Sequence, residues 1–190
     1  MSGLSSLIEL TIAKGPAPLA TLAEKLDEES VSAAIDNCLA NKESETPESF
    51  FARVLLQPRM AGYETPKGNE DRRRCPRCAS APQLGCLRPE GDGARLSLVC
   101  SLCLEEWDFP RGECVSCDNA DEKSLVYYQA EEIPHLRTMM CDKCRRYLHL
   151  ADFAKDLAIV PDVDEIVALP LDVWVTERGY RKIRRNLAGI

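Results

Sequence analysis

The chain has 190 residues, ten of them cysteine and only two histidine. Its 24 Lys+Arg against 31 Asp+Glu leave a formal charge of −7, which argues against general binding of nucleic-acid phosphates. No run reaches the roughly 18–20 apolar residues of a membrane span. The start, Met1 to Gly15, shows neither the basic nor the long apolar region of a secretory signal, so a reducing compartment is expected.

Residues 1–60 read as a helical domain. Leu4, Leu7, Ile8 and Ile12 share one helical face, as do Leu19, Leu22, Ala23 and Leu26 after Pro18. Val31, Ala34, Ile35, Cys38 and Leu39 form a further stripe, with Ser30 as the expected cap. Thr46-Pro47-Glu48 signals another helix start, and Pro58 its end. Core packing is the simplest account of these stripes. Residues 61–74, with Gly62, Pro66 and Gly68, read as a linker.

The next 70 residues carry the chemistry. Four Cys-x-x-Cys pairs occur in succession: Cys75/Cys78, Cys100/Cys103, Cys114/Cys117 and Cys141/Cys144. The second set repeats the first at offsets of 39 and 41 residues. One tight loop of this kind brings two sulfurs to one metal, and a second completes a tetrahedron of four thiolates. The spacing predicts two metal-binding ribbon units, residues 75–112 and 113–160, with sequentially paired knuckles. A cross-braced pairing is the rival. Zinc and iron both accept such a set. Disulfides or redox dithiols are the other readings, but the strand–helix context of a redox pair is missing. Arg95 to Cys100, Glu105 to Phe109 and Leu125 to Tyr128 read as strands beside the knuckles.

A rubredoxin knuckle ordinarily has glycine after its second cysteine, in a left-handed turn. Here Ala79, Leu104, Asp118 and Arg145 occupy those positions, which predicts looser or differently turned knuckles. Arg72, Arg73, Arg74, Arg77, Lys143, Arg145 and Arg146 crowd the pairs. Because residues 71–150 hold 12 basic and 13 acidic side chains, these cations read as compensation for thiolate charge rather than a nucleic-acid patch. His135 and His149 fall outside the cysteine pattern, and Cys38 and Cys86 read as small buried residues.

Residues 161–190 are expected to form a closing helix and a basic tail. Asp162 and Glu165 suggest a capping box, and Val163, Ile166, Val167, Leu171, Trp174 and Val175 an inward apolar face. Pro170 should kink the helix and Gly179 end it. Arg178, Arg181, Lys182, Arg184 and Arg185 read as a solvated end. No phosphate loop, catalytic triad or His-Glu-x-x-His occurs, so no catalytic residue is predicted and the chain reads as a non-enzyme. The fold class is α+β: a helical part, two tandem rubredoxin-like or zinc-ribbon units, and a C-terminal helix.

These residues resemble the bacterial formate dehydrogenase accessory protein (FdhE) family. The match rests on Cys75-Pro-Arg-Cys78 with Ala79 to Pro82, on Cys100-Ser-Leu-Cys103 with Glu106-Trp107, and on Cys114/Cys117 with Tyr127-Tyr128. It continues through Cys141/Cys144 with Tyr147-Leu148 and the closing segment Leu171 to Arg181, after Phe51 to Pro58 ahead of the metal region. The resemblance implies two rubredoxin-like metal sites, iron-binding in the family, held by Cys75, Cys78, Cys100, Cys103, Cys114, Cys117, Cys141 and Cys144. It implies a cytoplasmic maturation protein that contacts the catalytic subunit of formate dehydrogenase and carries out no formate chemistry itself. Family members are longer ahead of the cysteine region. A zinc-ribbon module associated with nucleic acid or transcription is the alternative from another class, and a protein that cycles iron or thiols is a third.

Overall fold

A computed structural model describes residues 3–42, 46–60 and 70–186. They fall into two compact units divided between residues 63 and 64. Most of the 61–74 stretch read as a linker lies outside the described residues.

The first unit is helical: α1 (Leu4–Lys14), α2 (Ala17–Ala23), α3 (Glu28–Leu39) and α4 (Pro47–Met60). Leu4, Ala23 and Val31 are buried at its centre, as the stripes predict, together with Phe51. Several details differ, and Leu22 and Leu39 of the stripes are exposed. Asp27 caps α3, accepting from the Ser30 backbone N–H at 2.8 Å and the Ser30 hydroxyl at 2.7 Å, so Ser30 is the partner of the cap rather than the cap. Ile12 is largely exposed while Thr11 is buried, its hydroxyl donating to the Leu7 carbonyl within the helix. Pro58 lies inside α4, whose last turn runs on to Met60.

The second unit is one sheet. Its strands are β1 (Pro82–Glu90), β2 (Gly93–Cys100), β3 (Glu106–Phe109), β4 (Leu125–Tyr128), β5 (Leu136–Cys141), β6 (Arg146–Asp152) and the short β7 (Arg181–Lys182). The order is β3-β2-β1-β6-β5-β4, with β7 beside β6. Each cysteine set therefore owns an antiparallel three-stranded meander, and the two meanders join through the parallel pairing of β1 with β6. At that seam Gly85 sits opposite Leu150. A Cβ there would come 2.5 Å from Leu150 Cδ2, so glycine is what lets the leucine side chain fill the seam. Gly91, at φ 55°, opens the two-residue turn between β1 and β2.

Apolar side chains alternate to both faces of the sheet. One layer gathers Leu87, Leu96, Leu98, Phe109, Met139 and Leu148. The other joins Leu84, Cys86, Val99 and Leu136 to Ala168 and Leu171 of the closing helices. These are α5 (Pro161–Val167) and α6 (Leu169–Thr176), interrupted at Ala168 with Pro170 in the first turn of α6. The predicted break is present and Leu171 and Val175 do face inward, but the predicted cap and the inward facing of Val163, Ile166 and Val167 are not found. The side chain of Val160 cannot cap α5; instead the Asp164 carboxylate accepts from the Val160 N–H at 2.7 Å. Asp162 accepts from Gln83 at 2.9 Å and Glu165 is buried. Val163, Ile166 and Val167 face solvent. The tail is not a free basic end either, because Lys182 and Asn186 are buried and residues 181–182 pair with β6.

Candidate metal centres

The eight paired cysteines converge into two groups, Cys75/Cys78/Cys100/Cys103 and Cys114/Cys117/Cys141/Cys144. The grouping is sequential, not cross-braced. Within each group the four Sγ atoms lie within 4.8 Å of one another. In the first, Cys75–Cys103, Cys78–Cys100 and Cys78–Cys103 are 3.5, 3.4 and 3.6 Å apart. In the second, Cys114–Cys144 and Cys117–Cys141 are 3.6 and 3.9 Å apart. Metal–sulfur bonds of about 2.3 Å in a tetrahedron give sulfur–sulfur edges near ~3.8 Å, so the donor sets fit one four-coordinate ion each. None of the ten cysteines is in a disulfide, and the separations far exceed the roughly 2.05 Å of a disulfide.

Local backbone explains the convergence. Each module starts with a knuckle ahead of its first strand and places the next between its second and third strands. Ala79, Leu104, Asp118 and Arg145 have φ of 59°, 60°, 54° and 58°. The knuckles thus make the left-handed turn without glycine, and the expectation of differently turned knuckles is overturned. A side chain in that region costs about 1–2 kcal/mol. The turn is held by amides: Ala79, Asp118 and Arg145 N–H donate to the carbonyls of Cys75, Cys114 and Cys141 at 2.8–2.9 Å. The Arg77, Leu102 and Ser116 N–H groups point at the sulfurs of Cys75, Cys100 and Cys114 at 3.3–3.4 Å. Module geometry repeats down to single bonds. Cys75 N–H donates to Ser80 O as Cys114 N–H does to Asn119 O, and Ser101 to Ala81 as Asp142 to Ser124.

Crowding of four thiols drives their acidities apart. In the first group, hydrogen bonds from Cys100 and Cys103 hold Cys78 far below the ordinary thiol range, and the same thiol contacts push Cys100 far above it. Cys86, buried in the apolar layer, is pushed up to about 12, and Cys38 is buried in α3. Neither belongs to a group.

The arginines near the knuckles bind carboxylates. Arg72 pairs with Glu113 and, at 3.4 Å, Asp118, while Arg73 pairs with Asp71 at 2.8 Å and Asp118 at 3.3 Å. Arg77 pairs with Glu105. Arg145 pairs with Asp142 at 3.1 Å, its guanidinium 3.7 Å over the Tyr180 ring. Compensation of thiolate charge by these cations is therefore shared with acidic neighbours.

His135 and His149 sit outside both groups. His135 Nε2 is 2.9 Å from Asp164 Oδ1. His149 belongs to a buried cluster that no sequence pattern announces. Its Nε2 lies 2.6 Å from Asp172 Oδ1 and its Nδ1 2.9 Å from the Thr138 hydroxyl. An ionised Asp172 only accepts, so Nε2 carries the proton and Nδ1 accepts from Thr138. Tyr147 also donates to Asp172, at 2.8 Å, and Lys182 Nζ bridges Asp172, at 2.9 Å, and Glu165. Burial lowers the His149 imidazole and raises Glu165 to about 7. Burial also raises Asp172, but His149 and Lys182 outweigh it and hold that carboxyl below its usual range. Among the described residues no helix is long and apolar enough to cross a membrane.

The comparisons with known proteins agree with this geometry. Residues 113–188 match the family model described as "FdhE, C-terminal domain". A curated relative, the FdhE homolog of Aquifex aeolicus, is 33% identical over 172 residues, covering 87% of this chain and 60% of its own length. The FdhE homolog of Pseudomonas putida is 34% identical over 122 residues, 60% of this chain and 37% of that protein. The crystal structure of FdhE from Pseudomonas aeruginosa superposes with a TM-score of 0.74 at 26% identity, covering 97% of this chain and 68% of that one. The chain thus spans less than two thirds of the length of these curated relatives. The resemblance to the FdhE family is borne out.

Proposed function

We propose that the chain acts as an accessory protein in the maturation of formate dehydrogenase, in the cytoplasm, as a two-metal scaffold that contacts the enzyme's catalytic subunit. The observation that carries this reading is the pair of complete four-sulfur sets, one inside the region that matches the FdhE C-terminal domain and its counterpart just before it. Cys75, Cys78, Cys100 and Cys103 would hold one ion, and Cys114, Cys117, Cys141 and Cys144 the other. Zinc or iron suits both; a bound ion cross-links two knuckles, and iron adds a one-electron couple. Four protein sulfurs fill a tetrahedron and leave no position for substrate, which supports a role outside catalysis. We take residues 75–112 and 113–160 as the two modules, with residues 161–190 closing the second and residues 1–60 as a helical domain joined through 61–74.

The test is co-purification of the tagged chain with the formate dehydrogenase catalytic subunit, together with metal analysis. Two metals per chain and a retained subunit are expected. Two metals with no retained subunit would remove the accessory role and leave the scaffold standing.

A further inference from the structure

The closing helices bury acidic side chains and leave a row of apolar ones outside. Their buried side carries Glu165 and Asp172 beside Ala168, Leu171 and Val175. Their open side carries Val160, Val163, Ile166, Val167 and Val173, between 42% and 58% exposed. Steps of three, four and seven residues join these positions, so they line up along one side. The arrangement has an anchor: Glu165 and Asp172 meet Lys182, and Asp172 meets His149 and Tyr147. A rotation that turned Glu165 and Asp172 outward would leave Lys182 and His149 buried without their acceptors. The apolar stripe is therefore held outward.

Its electrostatic setting selects an occupant. From residue 156 to residue 177 the chain has six acidic residues and no Lys or Arg. Glu165 and Asp172 are neutralised inside, and Asp164 faces His135. Asp156, Asp162 and Glu177 are exposed residues of the same segment, Asp162 accepting from Gln83. A second copy docked here by two-fold symmetry would set these acids against themselves. A polypeptide stretch with apolar residues at helical spacing and Lys or Arg on its flanks meets both the stripe and the acids.

We propose that the α5–α6 face is a docking surface for a basic, amphipathic segment of a partner polypeptide. Only the identity of that partner, the formate dehydrogenase catalytic subunit, rests on the accessory reading. The surface itself rests on the outward apolar row of these helices and their charge.

The test uses the full chain and two labelled peptides of about 14 residues, long enough for the stripe at ~1.5 Å per residue. One carries leucine and lysine at helical spacing, the other leucine and glutamate. The lysine peptide should bind, and the glutamate peptide should not. Val163→Asp removes one apolar contact while adding an acid in the first turn of α5, where a helix welcomes it. It should weaken the lysine peptide about ten-fold, whereas unspecific charge attraction would make it bind tighter and overturn the proposal. Glu177→Lys should weaken it by a smaller factor. Equal binding of both peptides would also overturn it, as would dimerisation of the wild type abolished by Val163→Asp. Unchanged emission from Trp174, stacked 3.9 Å from Tyr128, checks that α6 keeps its place. In a second arm, capture of the catalytic subunit by the wild type but not by Val163→Asp supports the surface. Equal capture by both overturns it. Capture by neither removes the accessory reading, while the peptide titration still decides the surface.

Discussion

The two cysteine modules share knuckle, meander and repeat, yet they are closed by different means. The first rests on long strands, β1 and β2, with Leu96, Leu98 and Phe109 buried in the apolar layer on one face, and three of its four cysteines are buried. The second has a four-residue first strand and leaves Cys117 and Cys144 half-buried. Its last knuckle is braced by residues from much later in the chain. The Arg181 N–H donates to the Arg145 carbonyl at 2.9 Å, Ile183 to Tyr147 at 3.0 Å, and Tyr180 donates to Asp142. Beneath that strap lies the Asp172 cluster. A duplicated metal motif has thus kept its ligand geometry while the second copy, which shares the apolar layers through Leu136, Met139 and Leu148, adds buried ion pairs to its support.

The largest effect that tests this contrast is metal removal. Ligation of a structural ion supplies on the order of 10–16 kcal/mol to a small domain, so stripping both ions should unfold the sheet. The second module, with two half-buried sulfurs, should lose its ion to a chelator first. Metal release followed by a colorimetric indicator, with Cys75→Ser and Cys117→Ser each abolishing one phase, checks the order. Faster release from the first module would break the comparison.

Next in size is the cluster. Asp172→Ala leaves Lys182 and His149 without their common acceptor and should destabilise the chain by about 3–5 kcal/mol in denaturant unfolding. Hydrogen exchange should show the loss in β5 and β6 before β1 and β2. Uniform loss across the sheet would mean that the strap supports both modules alike.

The smallest effect is a pH dependence. Glu165 holds its proton up to about pH 7 when folded but releases it near the ordinary 4.5 when unfolded. Its contribution is therefore fully present below pH 4.5 and lost as pH rises through 7. His149, lowered by burial, works in the opposite sense: its contribution is present above pH 6.5 and lost as pH falls through its folded value. Comparing wild type with Glu165→Gln isolates the first group. The stability advantage of the wild type over that variant should shrink between pH 5 and 8 on the axis bounded by these ionisations. A difference that grows would place the Glu165 proton elsewhere.

Much of this molecule was legible along the chain because its information is local. Cys-x-x-Cys spacing brings sulfurs together through one turn, so the two groups and their sequential pairing follow from four short motifs. Apolar stripes placed Leu4, Ala23 and Val31 in the helical core, and Pro47 began α4. Even the family resemblance depends on the order of these motifs. Other features needed the fold. Left-handed Leu104 and Arg145 contradict residue preference, because the amides that satisfy carbonyls and sulfurs outweigh the cost of a side chain there. The parallel join of β1 to β6 brings together segments some 65 positions apart (Leu84 with His149), which no local pattern encodes. The facing of α5 was misjudged for the same reason. Periodicity predicts that Val163, Ile166 and Val167 go inward, but Lys182, Asp172 and Glu165 meet only after the C-terminal strand has paired with β6. An ion pair that needs three distant segments to be satisfied at once is decided by tertiary structure, and here it sets which side of the closing helices faces water.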